Sequence, residues 1–320
     1  MTTTTPPPHL SHPPRPLGPP RPFGRTLCAM VTPFTASYEL DLPAARELAE
    51  HLVDNGCDGL VLNGTTGESP TTSDEEKTAL LRAVAEAVGD RAAVVAGVGS
   101  ASTAHTVALA RAAERAGADG LLVVTPYYSR PPQDAVEAHF RTVADATALP
   151  VMLYDIPGRT GTRIEVDTVL RLAEHERIVA VKDCAYDLLG STKVIGRTSL
   201  AYYSGCEELN LPLYAVGGAG YVSTVANVAP RAMRAVLDAY DAAAPAEAAR
   251  LNQLALPLVE LMMASGLPGA VTAKALLGLP VRGPLLPASP AEVARLGVAR
   301  EGVLAGAAAG AGRLHSSPRP

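Results

Sequence analysis

Short runs of apolar and β-branched residues recur along the chain, and each is followed by a stretch with a helical pattern. The eight runs span residues 27–32, 59–63, 93–98, 120–125, 151–155, 178–183, 200–204 and 220–224. In the intervening stretches, such as 42–55, 74–88 and 103–116, apolar positions return every three or four residues, which is typical of helices that bury one face. Ser73 or Asp74 is placed to cap the second of these stretches.

Strands that alternate with helices predict a parallel sheet with right-handed crossovers. Eight such units favour an α/β fold of the closed (β/α)8 TIM-barrel type. The alternative is an open, doubly wound sheet, but no G-x-G-x-x-G pattern follows the first run. Three further helical stretches, 231–242, 246–264 and 288–305, exceed the one helix that closes a barrel, so we expect a C-terminal helical extension.

These patterns divide the chain into four parts. Residues 1–22 are rich in proline and are predicted to be a disordered tail, without the apolar segment of a secretory signal. Residues 23–228 hold the barrel strands and loops, and residues 229–304 hold the last barrel helix and the C-terminal extension. Residues 305–320 are Ala- and Gly-rich and then polar, and are predicted to be a second disordered tail.

The composition of the chain argues against several classes of protein. The formal net charge of −5 argues against a nucleic-acid surface, and no apolar run is long enough to span a membrane. The four cysteines have no zinc-site spacing, so we expect reduced thiols in a cytoplasmic protein and no metal.

Lys182 is the most informative residue for chemistry. The chain has four lysines against 23 arginines, and only Lys182 ends an apolar strand. Strand alternation puts Ile178, Ala180 and Lys182 on one face, directed into the barrel. A desolvated lysine amine is a nucleophile for carbonyl compounds through a Schiff base. The alternative is a strand-end lysine that reaches solvent or pairs with a carboxylate.

Three further features lie at the carboxyl ends of predicted strands, where barrels place their chemistry. Tyr154 ends the strand next to Lys182, where a phenol could move protons, or it is an ordinary half-buried tyrosine. Thr65 and Thr66 follow the second strand, where their hydroxyls could hold a carboxylate or merely cap a turn. Arg159 follows the fifth strand and suits a carboxylate substrate, or it is a surface arginine.

Taken in order, these residues resemble the dihydrodipicolinate synthase / N-acetylneuraminate lyase family of class I aldolases. The resemblance covers roughly residues 23–297. The motifs that carry it are AMVTP at 29–33, GTTGE at 64–68, TPYY at 125–128, YDIPGRTG at 154–161 and VKD at 181–183, with weaker support from YSG at 203–205 and ANV at 226–228.

The resemblance implies a pyruvate-dependent aldolase that needs no cofactor beyond its own lysine. Lys182 would condense with pyruvate, with Thr65, Tyr128 and Tyr154 as a hydroxyl relay. Thr66 would bind the pyruvate carboxylate, and Gly205 and Val222 would line the pocket through their backbones. The resemblance also implies a homotetramer in which Tyr128 crosses a two-fold interface.

The GRTG sequence at 158–161 resembles the synthase branch, in which the arginine meets the carboxylate of aspartate semialdehyde. That places Arg159 on the second substrate. Cys206, Glu207 and Ser129 depart from the usual pattern near the barrel mouth. Two alternatives therefore stay open. One is a pyruvate aldolase acting on a sugar acid or an unusual aldehyde, and the other is a catalytically silent binding paralogue.

Overall fold

The computed structural model describes residues 20–314, and side chains as far as residue 307. All eight predicted strands are present, and they pair in parallel and in chain order into a closed barrel, which confirms the TIM-barrel prediction. The strands are β1 (Thr26–Ala29), β2 (Gly59–Leu62), β3 (Ala93–Gly97), β4 (Gly120–Val124), β5 (Val151–Asp155), β6 (Ile178–Asp183), β7 (Ala201–Ser204) and β8 (Gly220–Ser223).

Helices surround the barrel and extend beyond it. They are α1 (Leu42–Asp54), α2 (Asp74–Val88), α3 (Thr103–Arg115), α4 (Gln133–Asp145), α5 (Pro157–Thr160), α6 (Val166–Leu172), α7 (Leu188–Arg197), α8 (Asn210–Ala215), α9 (Pro230–Asp241), α10 (Pro245–Met263), α11 (Gly269–Leu277) and α12 (Pro290–Leu314). Ser73 caps α2, because its side chain accepts from the Glu76 amide while the Glu76 carboxylate accepts from the Ser73 amide. None of the helices in the described part of the chain is long and apolar enough to cross a bilayer.

Two layers of apolar side chains enclose the strands. The inner layer fills the barrel with mostly short side chains, among them Leu27, Ala29, Val61, Val95, Met152 and Ala180. The outer layer packs the strands against the surrounding helices. At the amino-terminal end of the barrel, the hydroxyl of Tyr203 donates to the carbonyl of Gly24 at 2.9 Å. The barrel is therefore a packed core, and only its carboxyl-terminal end is open to chemistry.

The pairing of β5 with β6 contains a register shift. Val151 pairs with Ile178, whereas Met152 pairs with Ala180, so one residue of β6 is passed over. Ile178 consequently lies in the outer layer, while Ala180 lies inside the barrel. The prediction that Ile178 shares a face with Lys182 was wrong, because a bulge breaks the simple alternation of strand faces.

The C-terminal extension differs from its prediction in two places. Helix α11 lies outside the three helical stretches predicted for this region, although Lys274 itself was expected on a helix; the segment between Pro268 and Gly278 is mostly apolar and gives no clear helical period. Helix α12 continues to Leu314, past the predicted start of a tail at 305; Val303 is buried and Leu304 packs beside it. Ala is the strongest helix former, which explains this extension.

The two predicted tails are described only in part. Residues 1–19 and 315–320 lie outside the described residues, which leaves out most of the first predicted tail and the end of the second. Arg21, within the first predicted tail, donates to the hydroxyl of Tyr214 at 2.6 Å. The folded part of the chain thus begins slightly before residue 23.

Candidate active site

Lys182 projects from the carboxyl end of β6 into the barrel, as its sequence context predicted. It is 6% exposed, and its Nζ lies 4.3 Å from the centre of the Tyr154 ring, on the neighbouring strand. Burial lowers the pKa of the Lys182 ammonium, although nearby thiols and Glu207 act in the opposite direction. Loss of water around the amine therefore favours its neutral, nucleophilic form.

Gly205 leaves the space that Lys182 occupies. A Cβ atom at this position would lie 2.8 Å from Cε of Lys182 and 2.4 Å from Sγ of Cys184. Both distances are shorter than a carbon contact allows, so a larger residue would displace the lysine side chain. Gly205 was predicted to line the site, and its missing side chain is what leaves room for Lys182. It lines the same cavity as Lys182.

Tyr154 and Thr65 bring two hydroxyl groups to the site. Burial raises the pKa of the Tyr154 phenol well above its usual value, and the Thr65 side chain acts in the opposite direction. The phenol therefore keeps its proton at neutral pH. Thr65 and Tyr154 line the same cavity, and Nζ of Lys182 lies over the Tyr154 ring.

Thr66 has a partner that the sequence did not single out. Its hydroxyl lies 3.0 Å from the hydroxyl of Thr224, and both residues are buried and line the same cavity. Thr224 directly follows β8, so a search for polar residues at every strand end, the eighth included, would have found it. The hydrogen bond limits the rotamers that the Thr66 hydroxyl can adopt.

A cavity of about 220 Å³ lies over Lys182. Its walls come from the barrel and also from the C-terminal extension, which contributes the start of α11 and the segment before α12. Its lining residues include Thr65, Thr66, Glu68, Tyr154, Arg159, Lys182, Gly205, Thr224, Gly269 and Ala270. The barrel thus supplies the reactive groups, and the extension covers them.

A larger cavity of about 650 Å³ lies beside the first and shares Thr65, Tyr154 and Arg159 with it. Lys182 and Gly205 line only the smaller of the two. Because Lys182 is the candidate nucleophile, the smaller cavity is the candidate active site despite its size. Arg159 is exposed and lines both cavities, so its guanidinium stands at the boundary between the lysine and the outside.

Two predicted site residues do not join this group within one subunit. Tyr128 is 95% exposed and lines neither of these cavities; its backbone has a positive φ of 75°, which is uncommon for tyrosine. Val222 is buried in the inner layer of the barrel and is not among the residues that line the cavity. The remaining six predicted residues, Lys182, Tyr154, Thr65, Thr66, Arg159 and Gly205, all line it.

Glu207, one of the departures from the family pattern, is a buried structural carboxylate. It accepts hydrogen bonds from the Ser223 hydroxyl, from the backbone amides of Thr224 and Val225, and from the Asn210 side chain, at 2.6–2.9 Å. These bonds hold the β7 and β8 loops together beside Thr224. Glu207 is therefore satisfied by the protein and is not directed at a substrate.

Among residues 20–314, no group of three or more His, Cys, Asp or Glu side chains is arranged to hold a metal ion. The four cysteines are buried and unpaired by disulfides.

A family model, similar sequences and similar solved structures all indicate the same protein family. Residues 22–299 match a model described as the dihydrodipicolinate synthetase family. The chain is 73% identical over 269 residues to 4-hydroxy-tetrahydrodipicolinate synthase 1 of Streptomyces coelicolor, which covers 82% of this chain and 88% of that protein. A crystal structure of dihydrodipicolinate synthase from Bacillus anthracis matches with a TM-score of 0.84 and 38% identity, covering 93% of this chain and 99% of that one. The enzyme of Cyanidioschyzon merolae, solved with lysine bound, matches with a TM-score of 0.86 and 36% identity, covering 89% and 99%.

The hydrogen bond between Thr224 and Thr66 generates a prediction. If Thr66 binds the pyruvate carboxylate, Thr224→Val should raise the KM for pyruvate about three- to tenfold, the effect of one lost hydrogen bond of about 1 kcal/mol. Thr224→Ser keeps the hydroxyl and should stay near wild type. Steady-state kinetics with varied pyruvate measure the difference, and equal KM values for the two variants would contradict the prediction.

Proposed function

The chain belongs to the dihydrodipicolinate synthetase family, and from this membership we propose that it condenses pyruvate with L-aspartate 4-semialdehyde to give 4-hydroxy-tetrahydrodipicolinate. This is the carbon–carbon bond-forming lyase step of lysine and diaminopimelate biosynthesis. The observation that carries the proposal is the buried amine of Lys182, which lies against Tyr154 in a cavity at the carboxyl end of the barrel. The 73% identity to a synthase supports the choice of substrates.

The first half of the reaction joins pyruvate to the enzyme. The neutral amine of Lys182 attacks the ketone carbon, and the carbinolamine then loses its hydroxyl as water to leave an imine. Tyr154 supplies the proton for the departing hydroxyl and regains one through Thr65, which lines the same cavity. Thr66, oriented by Thr224, binds the pyruvate carboxylate.

The second half forms the carbon–carbon bond. The imine loses a proton from the pyruvate methyl group and becomes an enamine, whose carbon attacks the aldehyde of the second substrate. The amino group of that substrate then attacks the imine carbon, closes the ring and releases Lys182. The protonated imine is the electron sink for this chemistry, so the reaction needs no external cofactor and no metal.

Arg159 is the residue we assign to the carboxylate of aspartate semialdehyde. Its guanidinium carries five donors in a planar fork that matches a carboxylate. It lines the boundary of the cavity, where a second substrate would enter over an enzyme-bound enamine. An aldehyde with other polar groups would need other protein groups to bind it at the mouth of the cavity. Glu207 is not available for this purpose, because its carboxylate oxygens already accept hydrogen bonds from the protein.

Tyr128 and the assembly form the remaining part of the proposal. A tyrosine that is 95% exposed at a barrel mouth leaves a large apolar ring in water, which favours contact with another surface. We assign Tyr128 to the relay of a neighbouring subunit across a two-fold interface, within a cytoplasmic homotetramer. Pro126, near the start of the loop that carries it, restricts the base of that loop.

The Schiff base itself is the first test. Incubation with pyruvate followed by borohydride should attach one pyruvate-derived group per chain, because reduction converts the imine into a stable secondary amine. Peptide mapping should place it on Lys182, and Lys182→Met should not be labelled. An adduct on Lys77, Lys193 or Lys274 in its place, or no adduct, would refute the mechanism.

The second test concerns the aldehyde. Arg159→Ala should lower kcat/KM for aspartate semialdehyde roughly 30- to 150-fold, since a charge-assisted contact contributes about 2–3 kcal/mol. Trapping of pyruvate should be unchanged. Arg163→Ala is the matched control, because Arg163 is exposed on the same loop, pairs with Asp187 and lines neither cavity. Equal losses in the two variants, or none, would remove Arg159 from the substrate site.

The third test concerns the shared tyrosine. Lys182→Ala and Tyr128→Phe subunits should each have little activity alone. If Tyr128 serves its neighbour, a mixed dimer has one site with both residues intact. Random pairing makes about half of the dimers mixed, so co-expression should recover about a quarter of wild-type activity. Mixed dimers confirmed by mass that stay inactive would show that Tyr128 does not act across the interface.

A further inference from the structure

A lysine and a glutamate form a fully buried ion pair beside the catalytic cavity. The side chain of Lys274 is 0% exposed and that of Glu68 is 1% exposed, and Nζ of Lys274 contacts Oε1 of Glu68. Glu68 ends the GTTGE loop and lines the cavity, whereas Lys274 lies on α11 of the C-terminal extension. The pair therefore joins the two parts of the protein that enclose Lys182.

The other contacts of the two side chains are made to the extension or to the core. Lys274 also donates to the carbonyl of Pro280 at 3.0 Å, and its Nζ lies 3.9 Å from the centre of the Phe34 ring. The second oxygen of Glu68 accepts the backbone amide of Arg282 at 2.9 Å. The carboxylate thus holds two separate points of the extension, one through each oxygen.

The side chain of Arg282 fixes the same region from the opposite side. It forms a bidentate pair with Glu76 on α2, at 2.6 and 2.8 Å, and donates to the carbonyls of Thr71 and Tyr38. These contacts attach residue 282 to the segment that follows Glu68. Residues 68–76 and the segment around residue 282 are thereby held as one unit.

Glu68 has a backbone that needs such support. Its φ of 54° and ψ of 39° lie in the left-handed region, which costs energy for a residue with a side chain. This conformation turns the chain sharply after Thr65 and Thr66, and the Glu68 amide donates to the carbonyl of Thr65 at 3.2 Å. The positions of both threonine hydroxyls therefore depend on where the Glu68 side chain is held.

Stability alone does not account for the pair. Removing two charges from water costs several kcal/mol, and a buried ion pair can often be replaced by apolar residues without loss of stability. A buried pair does specify geometry, because each partner must find the other at hydrogen-bond distance. Such a constraint is of use where side chains must be placed to within a fraction of an ångström, as in a relay of hydroxyls.

We propose that Glu68 and Lys274 are positioning residues for the aldol reaction: their ion pair ties α11 to the GTTGE loop and thereby sets Thr65 and Thr66 relative to Tyr154 and Lys182. This role rests on the proposed function. Neither residue touches pyruvate; both act through the threonines. The same contact fixes the start of α11, where Gly269 packs against Thr224 and Ala270 lines the cavity.

The test separates positioning from folding. Glu68→Gln or Lys274→Met alone leaves one buried charge without its partner and should lower the thermal midpoint strongly. The double variant Glu68→Gln/Lys274→Met buries no charge and should recover the midpoint. Its rate constant for borohydride-trappable imine formation at saturating pyruvate should nevertheless be about tenfold to a hundredfold below wild type, because misplaced relay groups slow the chemistry.

The rate constant and the amplitude of imine formation distinguish a positioning role from a purely structural role. A purely structural role would reduce the fraction of chains that react and leave the rate constant of the reactive chains unchanged. A double variant that folds and forms the imine at the wild-type rate would overturn the proposal. Glu68→Asp keeps the charge but withdraws the carboxylate by one methylene, and it should also slow imine formation; a wild-type rate for this variant would equally overturn the proposal.

The surface pair Arg46–Glu86, at 2.6 Å, supplies the control. Arg46→Met/Glu86→Gln makes the same change of charge at half-exposed positions and should leave both the rate constant and the amplitude unchanged. The reaction of the wild-type protein tests the proposed function independently of the positioning role. If wild type forms no adduct on Lys182, the aldolase assignment fails; if wild type reacts and the double variant reacts equally fast, only the positioning role fails.

Discussion

The burial of one amine governs the arrangement of this protein. Lys182 ends a strand whose other inward side chains are apolar, and the closed barrel removes water from around its Nζ. An ammonium in that place is disfavoured, so its pKa falls and the neutral amine becomes available as a nucleophile. Tyr154, Thr65 and Gly205 follow from this constraint. The first two are the residues we propose as its proton path, and the third leaves room for the lysine chain.

A buried amine must be shielded from water, and the barrel alone does not provide this cover. The cover comes from the C-terminal extension, through the start of α11 and the segment that precedes α12. The Glu68–Lys274 pair joins this cover to the loop that carries Thr65 and Thr66. The site is thus built from two parts of the chain that are over two hundred residues apart, and its precision depends on the contact between them.

The sequence predicted the barrel and most of the site because both follow from local patterns. Eight apolar runs mark the strands, and polar residues at their ends mark the cavity. Ile178 was misplaced because a bulge is a property of strand pairing, which one strand does not reveal. Lys274 looked like any helical lysine, since its partner Glu68 is distant in the chain. Tyr128 lies apart from the cavity in a single subunit, so its assignment rests on the family resemblance and on assembly.

The proposed chemistry requires Lys182 to be a desolvated amine. Its ionisation can be measured directly, because the chain has only four lysines. Lysine labelled with ¹³C at Cε gives few enough NMR signals to resolve, and Lys182→Met identifies the one of interest. We expect the Lys182 signal to titrate with a pKa below the ordinary range of lysine, and the rate of imine formation to rise with pH through the same pKa. A Lys182 pKa at or above the ordinary lysine value would show that the amine is not held in its neutral form by burial.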